Sequence, residues 1–74
     1  MRMRTVAVDT WRDVLQVEAA DESDNFFESG GDSMLALELL QRLETETGIE
    51  IPVETLFVDG TLGAIIGALV SPEQ

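Results

Sequence analysis

The 74-residue chain has no histidine, no cysteine and no lysine, and its four basic residues are all arginine. Those absences remove the imidazole, thiol and amine that most often activate a nucleophile, so Ser33 reads as the target of another enzyme before it reads as a catalytic serine. Without cysteine there is no disulfide and no thiolate metal site, which suits a reducing compartment. Bases are scarce against 15 acids, leaving a net charge of -11. Such a surface repels nucleic-acid backbones and anionic membranes and steers basic partners toward itself. Long apolar runs are missing as well. The most apolar stretch, Leu62 to Val70, falls far short of the roughly 20 residues a membrane span needs. Met1-Arg2-Met3-Arg4 leads into a short mixed segment, not into a secretory signal. The expectation is a soluble, cytoplasmic protein without nucleic-acid or membrane partners, with monomer as the default state.

What is present is enough for one small domain, residues 1–74 with a core of about 5–70, because 45% of the residues are hydrophobic. From Thr5 to about Gln16, Val8, Trp11 and Leu15, with Val14 beside them, recur at helical spacing. Val17 to Asp32 has no sustained period and is rich in Asp, Glu, Ser and Gly, so it reads as a long loop, anchored by Phe26-Phe27 with at least one of the two rings in the core. A second helix begins at Asp32 or Ser33, buries Leu35, Leu39, Leu40 and Leu43, and stops at Gly48. Ile49-Glu50-Ile51 is an extended connector. Pro52 suits the first turn of a short helix, Val53 to about Val58. Asp59-Gly60 is a turn, Thr61 a cap, and Leu62 to Val70 the last helix, where Gly63 and Gly67 favour close packing. Ser71 to Gln74 should fray. The expected fold class is all-α: a small four-helix bundle of three longer helices and one short one, with a long first loop.

Chemistry concentrates at Gly30-Gly31-Asp32-Ser33. A hydroxyl where an acidic, glycine-rich loop becomes a helix is well placed to be modified by another enzyme. Gly30 and Gly31 leave it sterically open, and a negative group on it would meet the positive end of the helix. The plainer reading is that Ser33 only caps the helix, but the usual capping-box acid three residues on is absent, since that position is Ala36. Asp32 reads as a favourable acid at a helix start, as a recognition element beside the target serine, or both. Nucleotide and calcium loops are excluded. No Gly-Lys-Ser/Thr follows the glycines. Counted from Asp21, an EF-hand's sixth and twelfth positions hold Phe26 and Asp32; counted from Asp24, its third holds Phe26. No metal ligand set is expected.

Asp24-Asn25-Phe26-Phe27-Glu28-Ser29-Gly30-Gly31-Asp32-Ser33 closely resembles the signature of the peptidyl carrier domains of nonribosomal peptide synthetases. Trp11-Arg12-Asp13-Val14-Leu15 looks like the first helix of that family. Ile51-Pro52 to Phe57, followed by Thr61-Leu62, looks like its third helix and the start of its last. The resemblance covers roughly Thr5 to Val70 and implies an acyl-carrier-protein-like bundle. It implies that a phosphopantetheinyl transferase using magnesium attaches 4′-phosphopantetheine from coenzyme A to Ser33, with Asp32 and Gly31 beside the attachment. It also implies a non-catalytic carrier holding aminoacyl, peptidyl or acyl thioesters for adenylation or acyl-loading, condensation or tailoring enzymes. The product would be a secondary metabolite of nonribosomal peptide or hybrid polyketide type. Asp32 stands where many synthetase carriers have His, and Leu37 where they often have a small polar residue. Asp is common at its position in acyl carrier proteins and in some peptidyl carriers, and the Leu looks more like the acyl carrier proteins.

Met34 and Leu37 share a helix face with Ser33. Met34 reads first as core or rim packing and Leu37 as exposed; beside the attachment site the two would make an apolar docking patch ringed by Asp32 and Glu38. A lone carrier domain with its own Met1 and high charge suggests a free-standing protein that meets its partners in trans, with an excised domain of a larger synthetase as the other reading. The alternative is an unmodified acidic helical interaction module that binds a basic protein.

Overall fold

Four helical segments lie within residues 2–70, the part of the chain that the computed structural model describes. They are α1, Met3–Leu15; α2, Ser33–Thr47; α3, Thr55–Asp59; and α4, Leu62–Val70. The expected call on Ser71 to Gln74 falls outside the described residues. Among those residues there is no strand, only an isolated antiparallel bridge between Asn25 and Thr61. α1 packs against both α2 and α4, and α3 against α4.

The helix ends follow from local chemistry. α1 begins two residues before Thr5 and closes on Gln16, whose left-handed φ of 58° lets its N–H reach the Arg12 carbonyl. α2 starts where Asp32, in extended backbone, accepts from the Leu35 N–H at 2.9 Å through its side chain. That bond satisfies one of the orphan donors of the first turn. α2 ends at Gly48, whose φ of 75° suits a residue without a Cβ. Thr61 caps α4 by accepting from the Ala64 N–H at 3.2 Å. Asp59 holds that cap in place by accepting from the Thr61 hydroxyl at 2.6 Å.

The short helix starts at Val53 as expected, with Val53 and Glu54 in α conformation, but α3, its continuation, is not the α-helix expected to run to Val58. It is a wider π turn over Thr55–Asp59, closed by the Gly60 N–H donating five residues back to the Thr55 carbonyl at 3.0 Å. The wide turn presents the Gly60 carbonyl to the Phe26 N–H, 2.7 Å away. A tertiary bond of that kind is invisible to local periodicity.

Trp11, Phe26, Leu39, Leu43, Leu56, Leu62, Ile65 and Leu69 are the largest fully buried side chains. Each removes enough apolar surface from water to be worth about 1.5–3 kcal/mol before entropy is charged against it. Two expected faces shift. On α1, Val6, Ala7, Thr10, Trp11 and Val14 are buried, while Val8 and Leu15 are half-buried. On α2, Ala36 takes the inward place next to Leu39, Leu40 and Leu43, and Leu35 is left at the margin. In both helices a small residue lies at the close approach to a neighbour, and a count of large apolar residues passes over it. Gly63 does pack closely, donating to the Glu22 carbonyl at 2.9 Å, whereas Gly67 faces open space.

Arg42 crosses from α2 to α1, donating to Asp13 at 2.7 Å, with Glu38 at 3.9 Å on its own helix. The Asp13 hydrogen bond holds the guanidinium pKa above its ordinary value. Arg4 likewise pairs with Glu22. These pairs are exposed and screened by water, so the apolar core is the main source of stability.

Candidate functional site

The approach to Ser33 is irregular but fixed at both ends. Asp21 accepts from the Ser23 hydroxyl at 2.6 Å and from the Ser23 N–H at 3.0 Å. Those bonds hold its carboxyl below the ordinary 3.8. The Leu62 N–H then donates to the Asp24 carbonyl at 3.0 Å, stitching the loop to the start of α4. Asn25 follows. Its Oδ1 accepts from the N–H groups of Phe27 and Glu28 at 2.9 and 3.1 Å, and its Nδ2 donates to the Asp59 carbonyl at 3.4 Å. Phe26 is fully buried, as the loop's expected anchor, with its ring edge-on to Trp11 at 5.3 Å.

The two glycines do different work. Gly30 has φ of 109°, a conformation that side-chain-bearing residues rarely adopt. Gly31 lies so close to the Phe26 ring that a Cβ there would overlap it, and would sit 2.8 Å from the Phe26 carbonyl oxygen. The pair thus serves backbone conformation at Gly30 and close packing on Phe26 at Gly31.

Ser33 occupies the first position of α2 and is exposed. Asp32 makes the side-chain cap, and among the described residues the Ser33 hydroxyl has no hydrogen-bond partner. The capping reading of Ser33 therefore gives way: the cap is Asp32. The backbone N–H groups of Ser33 and Met34 are also unpaired among the described residues, since the first-turn bonds formed are those of Leu35 and Ala36 to Asp32. The site offers a free hydroxyl, two free donors and the positive end of a 15-residue helix.

Around it lies apolar surface. Met34 is 80% exposed, which corrects its reading as core or rim packing, and Leu37 is 58% exposed. Glu38 is exposed beside them, with Arg42 nearby. Leu37 also lines an open groove with Leu40, Ile51 and Val53. Sequence reasoning missed Phe57 and Val58 on α3, 52% and 83% exposed, and gave Asn25 no role. A signal for the first two was available. In so short a helix only one of Leu56, Phe57 and Val58 can face inward, and Leu56 does. Phe57 stacks on Phe27, with centroids 5.3 Å apart and planes at 26°, and so joins α3 to the loop before Ser33.

A family described as "Phosphopantetheine attachment site" matches residues 6–69. The chain belongs to that family. It is a carrier protein whose prosthetic group is a covalent phosphopantetheine, and the unmodified interaction-module reading is set aside. Surfactin synthase subunit 1 of Bacillus subtilis (strain 168) is 53% identical over 55 residues, covering 74% of this chain and 2% of the synthase. The chain thus spans a very small part of the curated relatives it matches. Among solved structures, a chain in the complex of the phosphopantetheine transferase Sfp with coenzyme A and a peptidyl carrier protein superposes with a TM-score of 0.87. It is 26% identical, over 93% of this chain and 90% of that one. BlmI, a type-II acyl-carrier protein from Streptomyces verticillus, shares the fold at a TM-score of 0.85 and 17% identity, over 97% of this carrier and 87% of that chain.

Proposed function

We propose that Ser33 is the attachment residue and that this carrier delivers intermediates in nonribosomal peptide or hybrid polyketide synthesis. The observation that supports this reading most is the division of labour at the helix start: Asp32 caps, leaving the Ser33 hydroxyl exposed and unengaged. Ser33 Oγ attacks the pantetheine-bearing phosphorus of coenzyme A. The new P–O bond forms as the bond to adenosine 3′,5′-bisphosphate breaks, and the hydroxyl proton passes to a base of the transferase. The transferase is the source of that base in this reading, since the chain has neither histidine nor lysine beside Ser33. The free N–H groups of Ser33 and Met34 and the α2 dipole then favour the resulting phosphodiester by about 0.3–1 kcal/mol at an exposed helix start. The attached arm supplies a terminal thiol, which a cysteine-free chain lacks, to hold an aminoacyl, peptidyl or acyl group as a thioester.

Met34 and Leu37, with Asp32 and Glu38 at the margin and Gly31 behind, form the surface met by a phosphopantetheinyl transferase. The same surface meets adenylation or acyl-loading, condensation and tailoring enzymes. The carrier itself performs no catalysis and works in the cytoplasm. The test is the intact mass of the folded chain after incubation with coenzyme A, magnesium and a broad-specificity transferase, beside Ser33→Ala. One added arm on the native chain and none on the variant is expected. An unmodified native chain, with a known carrier modified in parallel, would sink the proposal.

A further inference from the structure

The chain has four aromatic residues, one Trp and three Phe, and they form a single line of touching rings. Trp11, buried in α1, meets Phe26 edge-on at 5.3 Å; Phe26 meets Phe27 edge-on at 5.5 Å; Phe27 stacks on Phe57 of α3 at 5.3 Å. The two middle rings belong to the loop that leads into Ser33. Asn25 ties the same loop to the other end of α3. Its amide lies over Gly60, where a Cβ would come within 2.7 Å of Nδ2, and it donates to the Asp59 carbonyl at 3.4 Å. At the same place the Phe26 N–H reaches the Gly60 carbonyl at 2.7 Å. From there the path to Ser33 is short and stiff: the Phe26 ring fills the space a Gly31 Cβ would need, and Asp32, the residue directly before Ser33, caps α2.

Taking Ser33 as the attachment residue, we infer that Asn25 and Phe27 are positioning residues that lock the attachment loop to α3. Ser33 and the apolar face of Phe57 and Val58 then meet a partner enzyme as one rigid unit. Neither side chain touches the reacting atoms; they act through the loop and through α3. A partner that docks on α3 finds the Ser33 hydroxyl at a set distance and angle. Loosening the lock leaves the docking side chains in place but spreads the hydroxyl over positions that do not react. The loss therefore falls on kcat, with KM nearly unchanged.

The test compares Phe27→Leu and Asn25→Asp with the native chain. Leu keeps the apolar bulk and removes the stack. Asp keeps the acceptor for Phe27 and Glu28 but removes the donor to Asp59. Ile66→Val, a buried change on α4, reports what lost stability alone does. With the variants verified as folded, transfer from coenzyme A by a phosphopantetheinyl transferase is followed by mass. Phe27→Leu and Asn25→Asp are expected to lower kcat about tenfold with KM within about twofold, while Ile66→Val leaves kcat as it was. Amide exchange at Phe26 and Gly60 rises in the first two variants and not in the third.

Phe57→Leu removes the same stack from its exposed side, where it cannot empty the core, and pairing it with Phe27→Leu lowers kcat no further than the larger single change. Native kcat in both loop variants overturns the inference. So does a loss confined to KM, an equal loss in Ile66→Val, or fully additive losses in the Phe27/Phe57 pair. If the native chain accepts no arm at all, the attachment reading fails first. The exchange measurement still decides the lock, and unchanged exchange at Phe26 and Gly60 in Phe27→Leu overturns it.

Discussion

Between Val17 and Asp32 the backbone forms no helix, yet Phe26 is fully buried and the backbone of Asp24 and Phe26 is bonded to the junction of α3 and α4. One turn later the backbone is regular α-helix, yet Met34 and Leu37 stand 80% and 58% exposed. The irregular segment is held by specific tertiary contacts, whereas the outer face of the regular one is in contact with water. Regularity and fixation are therefore separate properties here. The loop fixes where Ser33 is, and the helix face supplies apolar surface with nothing among the described residues to cover it.

Substitutions can break that comparison. Phe26→Ala should have the largest effect, destabilising the fold by about 3–5 kcal/mol in urea unfolding, because a fully buried ring is lost from a supposed loop. If the loop were loose, the cost would instead be within about 0.5 kcal/mol, as for surface changes. Gly31→Ala comes next. The new methyl meets the Phe26 ring and carbonyl, so a destabilisation of about 1–3 kcal/mol is expected from overpacking. Asp32→Ala should cost about 1 kcal/mol as a lost cap, and Ser33→Ala only a few tenths, which sharpens the assignment of capping to one residue and attachment to the other. Smallest of all, Met34→Gln and Leu37→Gln should change stability by no more than about 0.5 kcal/mol. The same pair should raise the transferase KM, which separates docking from folding.

Much of this was legible in the sequence. The four helices, the Gly48 stop and the Thr61 cap follow from spacing and capping chemistry, the apolar pair in a polar loop called for at least one buried ring, which is Phe26, and the Asn-Phe-Phe to Ser33 run carries the family. The misreadings share a cause. Ala36 and Ala7 are fully buried, and a reading that counts large apolar side chains passes over them. The π turn at Thr55–Asp59 exists together with a bond from Gly60 to Phe26, 34 residues away in sequence, and no local window contains both partners. Met34 was read as partly packed because apolar residues after a loop usually find a core. Leu35 and Ala36, its neighbours, fill that role instead. Asn25 looked like one letter of a motif until its three hydrogen bonds were in view.

The central claim is that the loop presents one particular hydroxyl, and the chain holds competing ones close by at Ser23 and Ser29. Fragmenting the modified protein and locating the added phosphopantetheine mass tests this most directly. The account predicts that every modified fragment carries the mass on Ser33. Mass on Ser29 or Ser23, or shared among the three, would contradict it.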